Sequence, residues 1–156
     1  MAIGFMCQIL RFFALIKIPG EFYILDSQKG ELLYEREAKG KLYNEAVFEK
    51  DRMYIGDADA VIDARAGNMT CYEITSDNAL TEIFSVNAGG GVSTKAVIDG
   101  DRLFFAAEDN YLYCVDKNTG EERMPKKKTK GRNIVVYGNE LFLLSDKGQV
   151  ECLEML

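Results

Sequence analysis

The run Lys126-Lys127-Lys128-Thr129-Lys130-Gly131-Arg132, with Arg123 just before it, places six positive charges within ten residues. The rest of the chain is acidic, so the whole carries 19 Lys and Arg against 25 Asp and Glu, a formal charge of −6. A cationic patch in an acidic molecule can dock an acidic protein, a phosphate-rich ligand or RNA. The plainer reading is a solvated crossover loop. No aromatic residue interleaves the lysines in sequence, which weighs against single-stranded nucleic acid, since its binders stack bases on aromatic rings. The net negative charge weighs against nucleic acid in general. The expected partner-binding residues are therefore Lys126, Lys127, Lys128, Lys130 and Arg132, and the expected partner is an acidic protein.

Carboxylates form the second candidate set. Asp57, Asp59 and Asp63 fall in one long loop, and Glu108, Asp109 and Asp146 in others. Gathered around one opening they could hold a small ligand or sugar, or serve as acid and base in hydrolysis. The ligand order and central Gly of an EF-hand are missing, and no metal site or cofactor is expected. The Gly89-Gly90-Gly91-Val92-Ser93-Thr94-Lys95 stretch only faintly suggests a phosphate loop, because a strand rather than a helix should follow it. With no His in the chain, a Ser-His-Asp triad, a Cys-His pair and His-ligated zinc or haem are excluded.

The elements that must carry these residues repeat. Gly20-Glu21-Phe22-Tyr23-Ile24-Leu25-Asp26 returns as Gly67–Glu73, Asn110–Asp116 and Gly148–Glu154. In each, a turn residue is followed by apolar residues at the third, fifth and sixth places and then a carboxylate. Ahead of these stand short, nearly continuous apolar runs: Arg11–Ile16, Arg52–Gly56, Arg102–Ala107 and Glu140–Leu144. Runs of this kind read as strands buried on both faces. Tight turns at Lys50-Asp51, Asp99-Gly100-Asp101 and Gly138-Asn139 join three of them to earlier strands at Ala46–Phe48, Ala96–Ile98 and Ile134–Val136. In the first copy the equivalent strand would be Ala2–Met6. A turn of the form Asp26-Ser27-Gln28-Lys29-Gly30, repeated at Asp116–Gly120, leads to a fourth, more polar strand and suits one residue at positive φ. Four strands in each unit of about 40 residues are the signature of β-propeller blades.

The segment Asn110–Glu121 resembles the repeat of the PQQ-like β-propellers, roughly Gly-x-Leu-Tyr-Ala-Leu-Asp-x-x-Thr-Gly-Lys followed by Leu-x-Trp. The resemblance runs over about residues 5–156, good in the first and third copies, fair in the fourth and poor in the second. It implies one all-β domain, 1–156, with four-stranded antiparallel blades near 2–37, 44–87, 94–125 and 132–156. Tyr34, Phe84 and Met124 stand where the family has Trp. Relatives include quinoprotein dehydrogenases and proteins that only bind other proteins, such as the lipoprotein of outer-membrane barrel assembly. A quinone site would need an aromatic platform and, commonly, adjacent cysteines, and this chain has neither Trp nor Cys-Cys. The resemblance therefore implies a binding scaffold rather than an enzyme.

Four blades are few for such a ring, and the fourth copy ends after its third strand, leaving the edge at Gln149–Glu154 exposed. The expectation is a homodimer, or a complementary half-propeller chain, that completes the ring; a fragment of a longer protein and a self-closed monomer are the alternatives. Cys71, Cys114 and Cys152 share one repeat position and read as small buried hydrophobes on separate blades, too far apart for disulfides. Together with Cys7 they favour a reducing, cytoplasmic compartment. Arg11 interrupts the apolar N-terminus, no positive charge precedes it, and no small-residue cleavage site follows; were it an export remnant, the place would be periplasmic or extracellular. No run of about 18 apolar residues is present to span a membrane.

Overall fold

The structure is a computed structural model that describes residues 12–17, 21–37, 40–42, 44–58, 66–75 and 79–155. They form fourteen strands in four antiparallel sheets. The first sheet holds β1 (Phe12–Lys17), β2 (Glu21–Asp26) and β3 (Leu32–Glu37). The second holds β4 (Val47–Glu49), β5 (Arg52–Gly56), β6 (Gly67–Ile74) and β7 (Leu80–Ala88). The third holds β8 (Val97–Asp99), β9 (Arg102–Ala107), β10 (Tyr111–Asp116) and β11 (Glu122–Lys128), and the fourth β12 (Gly131–Tyr137), β13 (Glu140–Ser145) and β14 (Val150–Glu154). Every sheet is a meander in chain order. The strand expected at Ala2–Met6 lies outside the described residues.

Alternation along the inner strands decides how the blades stack. In β9, Leu103, Phe105 and Ala107 enter the core shared with the second blade, whereas Phe104 and Ala106 enter the core shared with the fourth. The neighbouring β10 does the same: Tyr113 and Val115 face back, Leu112 and Cys114 face forward. In the second blade Met53, Ile55, Tyr72 and Ile74 meet Phe22 and Ile24 of the first, while Tyr54, Met69 and Cys71 point to the third. Successive side chains of a strand point to opposite faces, so a continuous apolar run serves two interfaces at once. That is why these runs carry no polar alternation.

The Asp-to-Gly turns form alike in the first and third blades. Asp116 accepts N–H bonds from Asn118 (2.7 Å) and Thr119 (3.1 Å) through Oδ1, and its carbonyl accepts the Gly120 N–H at 2.8 Å. Asp26 does the same with Gln28, Lys29 and Gly30. Gly30 and Gly120 have φ of 67° and 75°. The ladder from third to fourth strand is bulged in all three blades that have one, beside Ile24, Cys71 and Cys114. The bulge sets Tyr34, Phe84 and Met124 opposite those three residues. These are the places where the resemblance expects Trp. A Cβ on Gly120 would lie 2.6 Å from the Phe84 ring, so the second blade's outer strand is clasped by the third blade's turn.

Gly120→Ala therefore meets two obstacles, positive φ and Phe84, whereas Gly100→Ala, with φ of 60° and open space around it, meets only the first. A left-handed Ala costs about 1–2 kcal/mol. Urea melts should show Gly100→Ala losing about that much and Gly120→Ala clearly more; equal losses would mean that the Phe84 contact yields freely.

Candidate functional site

The two ends of the stack differ in kind. At one end lie the short turns after the first and third strands of each blade, and they are tied together. Across the seam between second and third blades, Arg52 Nη1 donates to Asn118 Oδ1 at 2.9 Å and Tyr54 Oη to the Lys117 carbonyl at 3.1 Å, while Lys117 Nζ pairs with Glu49 at 2.6 Å. The other end collects the blade crossovers, held by backbone bonds to the loops after each second strand. Lys41 and Ala58 exchange bonds, Val92 donates to the Asp57 carbonyl, Glu108 to that of Gly91 and Thr129 to that of Asn110. The Gly89–Gly91 stretch belongs here. A Cβ on Gly90 would come within 2.4 Å of the Asp109 nitrogen, so the glycines permit close passage of two chain segments.

The carboxylates at this end are divided in their work. Asp57 is buried, and its Oδ1 accepts both the backbone N–H (2.8 Å) and Nδ2 (3.2 Å) of Asn68. Asp109 accepts the Tyr111 N–H at 3.1 Å and the Tyr113 hydroxyl at 2.6 Å. Burial, and the hydrogen bond to Asp109, push the Tyr113 phenol up to about 12. Glu108 and Asp146 are exposed. Asp59 and Asp63 lie outside the described residues. Among the described residues no three Cys, Asp or Glu side chains converge to hold a metal ion. Asp57 and Asp109 thus act on the loops themselves, clamping each to the strand that follows.

The basic run departs from the loop reading. Strand β11 continues to Lys128 and β12 starts at Gly131, so only Thr129 and Lys130 form the crossover. Lys126, Lys127 and Lys128 occupy the outer edge of the third blade near the crossover end, and Arg132 opens the inner strand of the fourth. Thr129 is buried and bonds the Gly131 N–H and Glu151, which fixes this short link. Arg132 donates to Asn110 Oδ1 at 3.1 Å. Pro125, which lacks an N–H, falls where the ladder between β10 and β11 loses register.

This strand placement brings in aromatic partners that the linear sequence hides. Lys126 Nζ stands 4.7 Å from the centroid of Tyr111 and 5.7 Å from that of Tyr113. Tyr113 in turn stacks on Phe105 with centroids 4.9 Å apart. A groove beside them is lined by Val86, Asn87, Gly89, Tyr113, Met124 and Lys126. Aromatic residues therefore do flank the lysines, supplied by β10 rather than by the run itself. No sequence signal could find them without the pairing of β10 with β11.

Arg123 leaves the patch. Its guanidinium bonds the Asp116 carboxylate and pairs with Asp101 at 3.0 Å, at the turn end of the blade. That bond, with the N–H groups of Asn118 and Thr119, holds the Asp116 carboxyl below its ordinary value of 3.8. By contrast, among the described residues Lys126, Lys127, Lys128, Lys130 and Arg132 take part in none of the ion pairs found.

Cys71 and Cys114 are buried free thiols, both pushed up to about 11 by burial. Cys152 is also free but exposed, contrary to the expectation from its repeat position. Its side of the fourth blade has no further blade to cover it among the described residues. Cys7 lies outside them.

The fold and its repeats define a PQQ-like β-propeller. The family model described as outer membrane protein assembly factor BamB matches residues 65–155, and the chain belongs to that family. No curated protein matches the chain. Among solved structures, the computationally designed Ika4 protein superposes with a TM-score of 0.77 at 13% identity, over 95% of this chain and 88% of that one. BamB from Moraxella catarrhalis superposes with 0.71 at 15% identity over 97% of this chain, which spans only 43% of that protein. The computationally designed Ika8 protein gives 0.72 at 14% identity over 96% of this chain and 45% of its own. No helix among the described residues is long and apolar enough to cross a membrane.

The Arg123–Asp116 bond carries a pH signature. A carboxyl lowered in the folded state stabilises the protein above the unfolded value and loses that contribution as pH falls through the folded one. Arg123→Gln should melt below wild type at pH 7, with the difference closing as pH drops below 3.8. A difference that persisted unchanged in acid would assign the effect to packing of the side chain instead.

Proposed function

We propose that this chain is a non-enzymatic scaffold that binds an acidic protein through the basic edge formed by Lys126, Lys127, Lys128, Lys130 and Arg132. The observation that carries the reading is the absence, among the described residues, of ion pairs at these five cations. Arg102, Lys117 and Arg123 elsewhere each have a carboxylate partner. A cluster without carboxylate partners, spread over the end of β11, the crossover and the start of β12, keeps its field for a partner and steers encounter, with most effect at low salt. The family's description as an assembly factor for outer-membrane proteins is consistent with a protein that acts on other proteins. The exposed Asp146 shares a groove with Lys130 and Arg132 and would set the partner's orientation by repulsion. Completion of the ring by a second copy or by a complementary half-propeller chain would be a matter for the end blades.

The test replaces Lys126, Lys127, Lys128 and Lys130 by Ser and measures binding of a fluorescent Glu-rich peptide by polarisation. The variant should keep the wild-type circular dichroism and melting temperature and lose affinity by about tenfold or more at low salt, the gap narrowing as salt is raised. Equal affinity would show the basic edge to be inert. Tighter binding of a single-stranded RNA than of the peptide would overturn the acidic-protein reading.

A further inference from the structure

The outward face of the fourth blade is built like an interface. By repeat position, Phe142, Leu144, Val150 and Cys152 correspond to Phe104, Ala106, Leu112 and Cys114 of the third blade. Those four are 0%, 0%, 5% and 3% exposed against the fourth blade. Their counterparts are open: Leu144 is 42% and Val150 65% exposed, Phe142 is half-buried, and Cys152 is exposed. Val135, 57% exposed, stands opposite Phe142 and extends the face onto β12. Contiguous exposed apolar surface of this kind marks an interaction site.

The first blade offers the matching side. Tyr23 and Leu25 correspond to Tyr113 and Val115, which in the third blade pack against the second. Both are half-buried, and Leu32, opposite Leu25 in register, is 55% exposed. Charge at the turn end agrees. In the seam between second and third blades, Arg52 meets the turn containing Asn118. At the fourth blade Glu140 takes the place of Arg52, with Glu154 opposite it in register. At the first blade the turn is Ser27-Gln28-Lys29, with Lys29 in the place after Asn118's counterpart. An acidic corner would therefore meet Lys29, whose own pair with Glu31 is long, at 3.9 Å, and exposed.

From these observations we infer that the fourth blade docks face to face on the first blade of a second copy, twice over, so that two chains close one eight-bladed ring. Each seam is head-to-tail, and the two are related by a twofold axis, which closes the assembly without a free blade face. The inference does not depend on the basic edge of the third blade.

Light scattering after gel filtration, over a range of loadings, tests it. The wild-type chain should run at twice 17.5 kDa and hold that mass on dilution. Leu144→Glu with Val150→Glu should run at 17.5 kDa with an unchanged β-sheet spectrum. Glu140→Lys and Lys29→Glu should each weaken the dimer at low salt, and the two together in one chain should restore it. These two exposed positions keep the test sound if the apolar variant fails to fold. Mass-spectrometric mapping of maleimide should find Cys152 protected in the wild type and reactive in a monomeric variant. A wild-type monomer, a ladder of higher masses, a mass that doubles only when a different protein is added, or fast labelling of Cys152 in the wild type would overturn it.

Discussion

Everything in this molecule depends on blade faces packing against one another. A four-stranded meander on its own buries one face at best, and its inner strands here are apolar on both. The third blade shows the solved case. Leu103, Phe105 and Ala107 on one side and Phe104 and Ala106 on the other are all fully buried. Burying two faces per blade is what lets repeats of about 40 residues, with no helix and no disulfide among the described residues, form a continuous core. The same constraint makes an end blade an unfinished object, because its last face has the composition of a core and the exposure of a surface.

A second layer of order comes from the two ends of the stack. The turn end is where neighbouring blades are stitched by polar bonds: Arg52 and Tyr54 to the next blade's turn, Lys117 to Glu49, and Arg123 to Asp116 and Asp101 within the third blade. Tyr54 and Asp116 are buried, but Glu49, Arg52 and Lys117 are partly exposed, so the charged contacts between blades serve more to fix their angle than to add raw stability. The crossover end is fixed by backbone bonds and by close passage at Gly89–Gly91. Asp57, Asp109 and Thr129 add side-chain bonds there, while the lysines at the end of β11 make no ion pair among the described residues. The result is a frame held at both ends, with a basic strand that has no carboxylate partner among the described residues.

The carboxylates illustrate why residue type alone is a weak guide to a site. Asp57 and Asp109 sit in the irregular loops where ligand-binding groups tend to fall. Both nevertheless spend hydrogen-bonding capacity on the strand that follows, Asp57 on Asn68 and Asp109 on Tyr111 and Tyr113. An oxygen already occupied by a backbone N–H or a buried phenol has less to give a ligand. Of the exposed carboxylates, Asp146 remains as local negative charge in a groove with Lys130 and Arg132, where it shapes their field.

The strand order, the blade repeat, the Asp-to-Gly turns and the buried places of Cys71 and Cys114 were all legible in the sequence. Each is set by local chemistry that repeats: two-residue alternation, a carboxylate that accepts its own turn's N–H groups, and a glycine at positive φ. The basic run was visible too, but not its setting. That Lys126 lies over Tyr111 and Tyr113, and that Arg123 turns away to Asp116, depends on the bulged register between β10 and β11. No spacing along the chain encodes that register. The exposure of Cys152 and Val150 likewise needed the fold, since by repeat position they match buried residues of the third blade. Sequence determines which faces are apolar because that is a property of each strand; only the tertiary structure decides which of them is covered, because coverage belongs to a pair of blades.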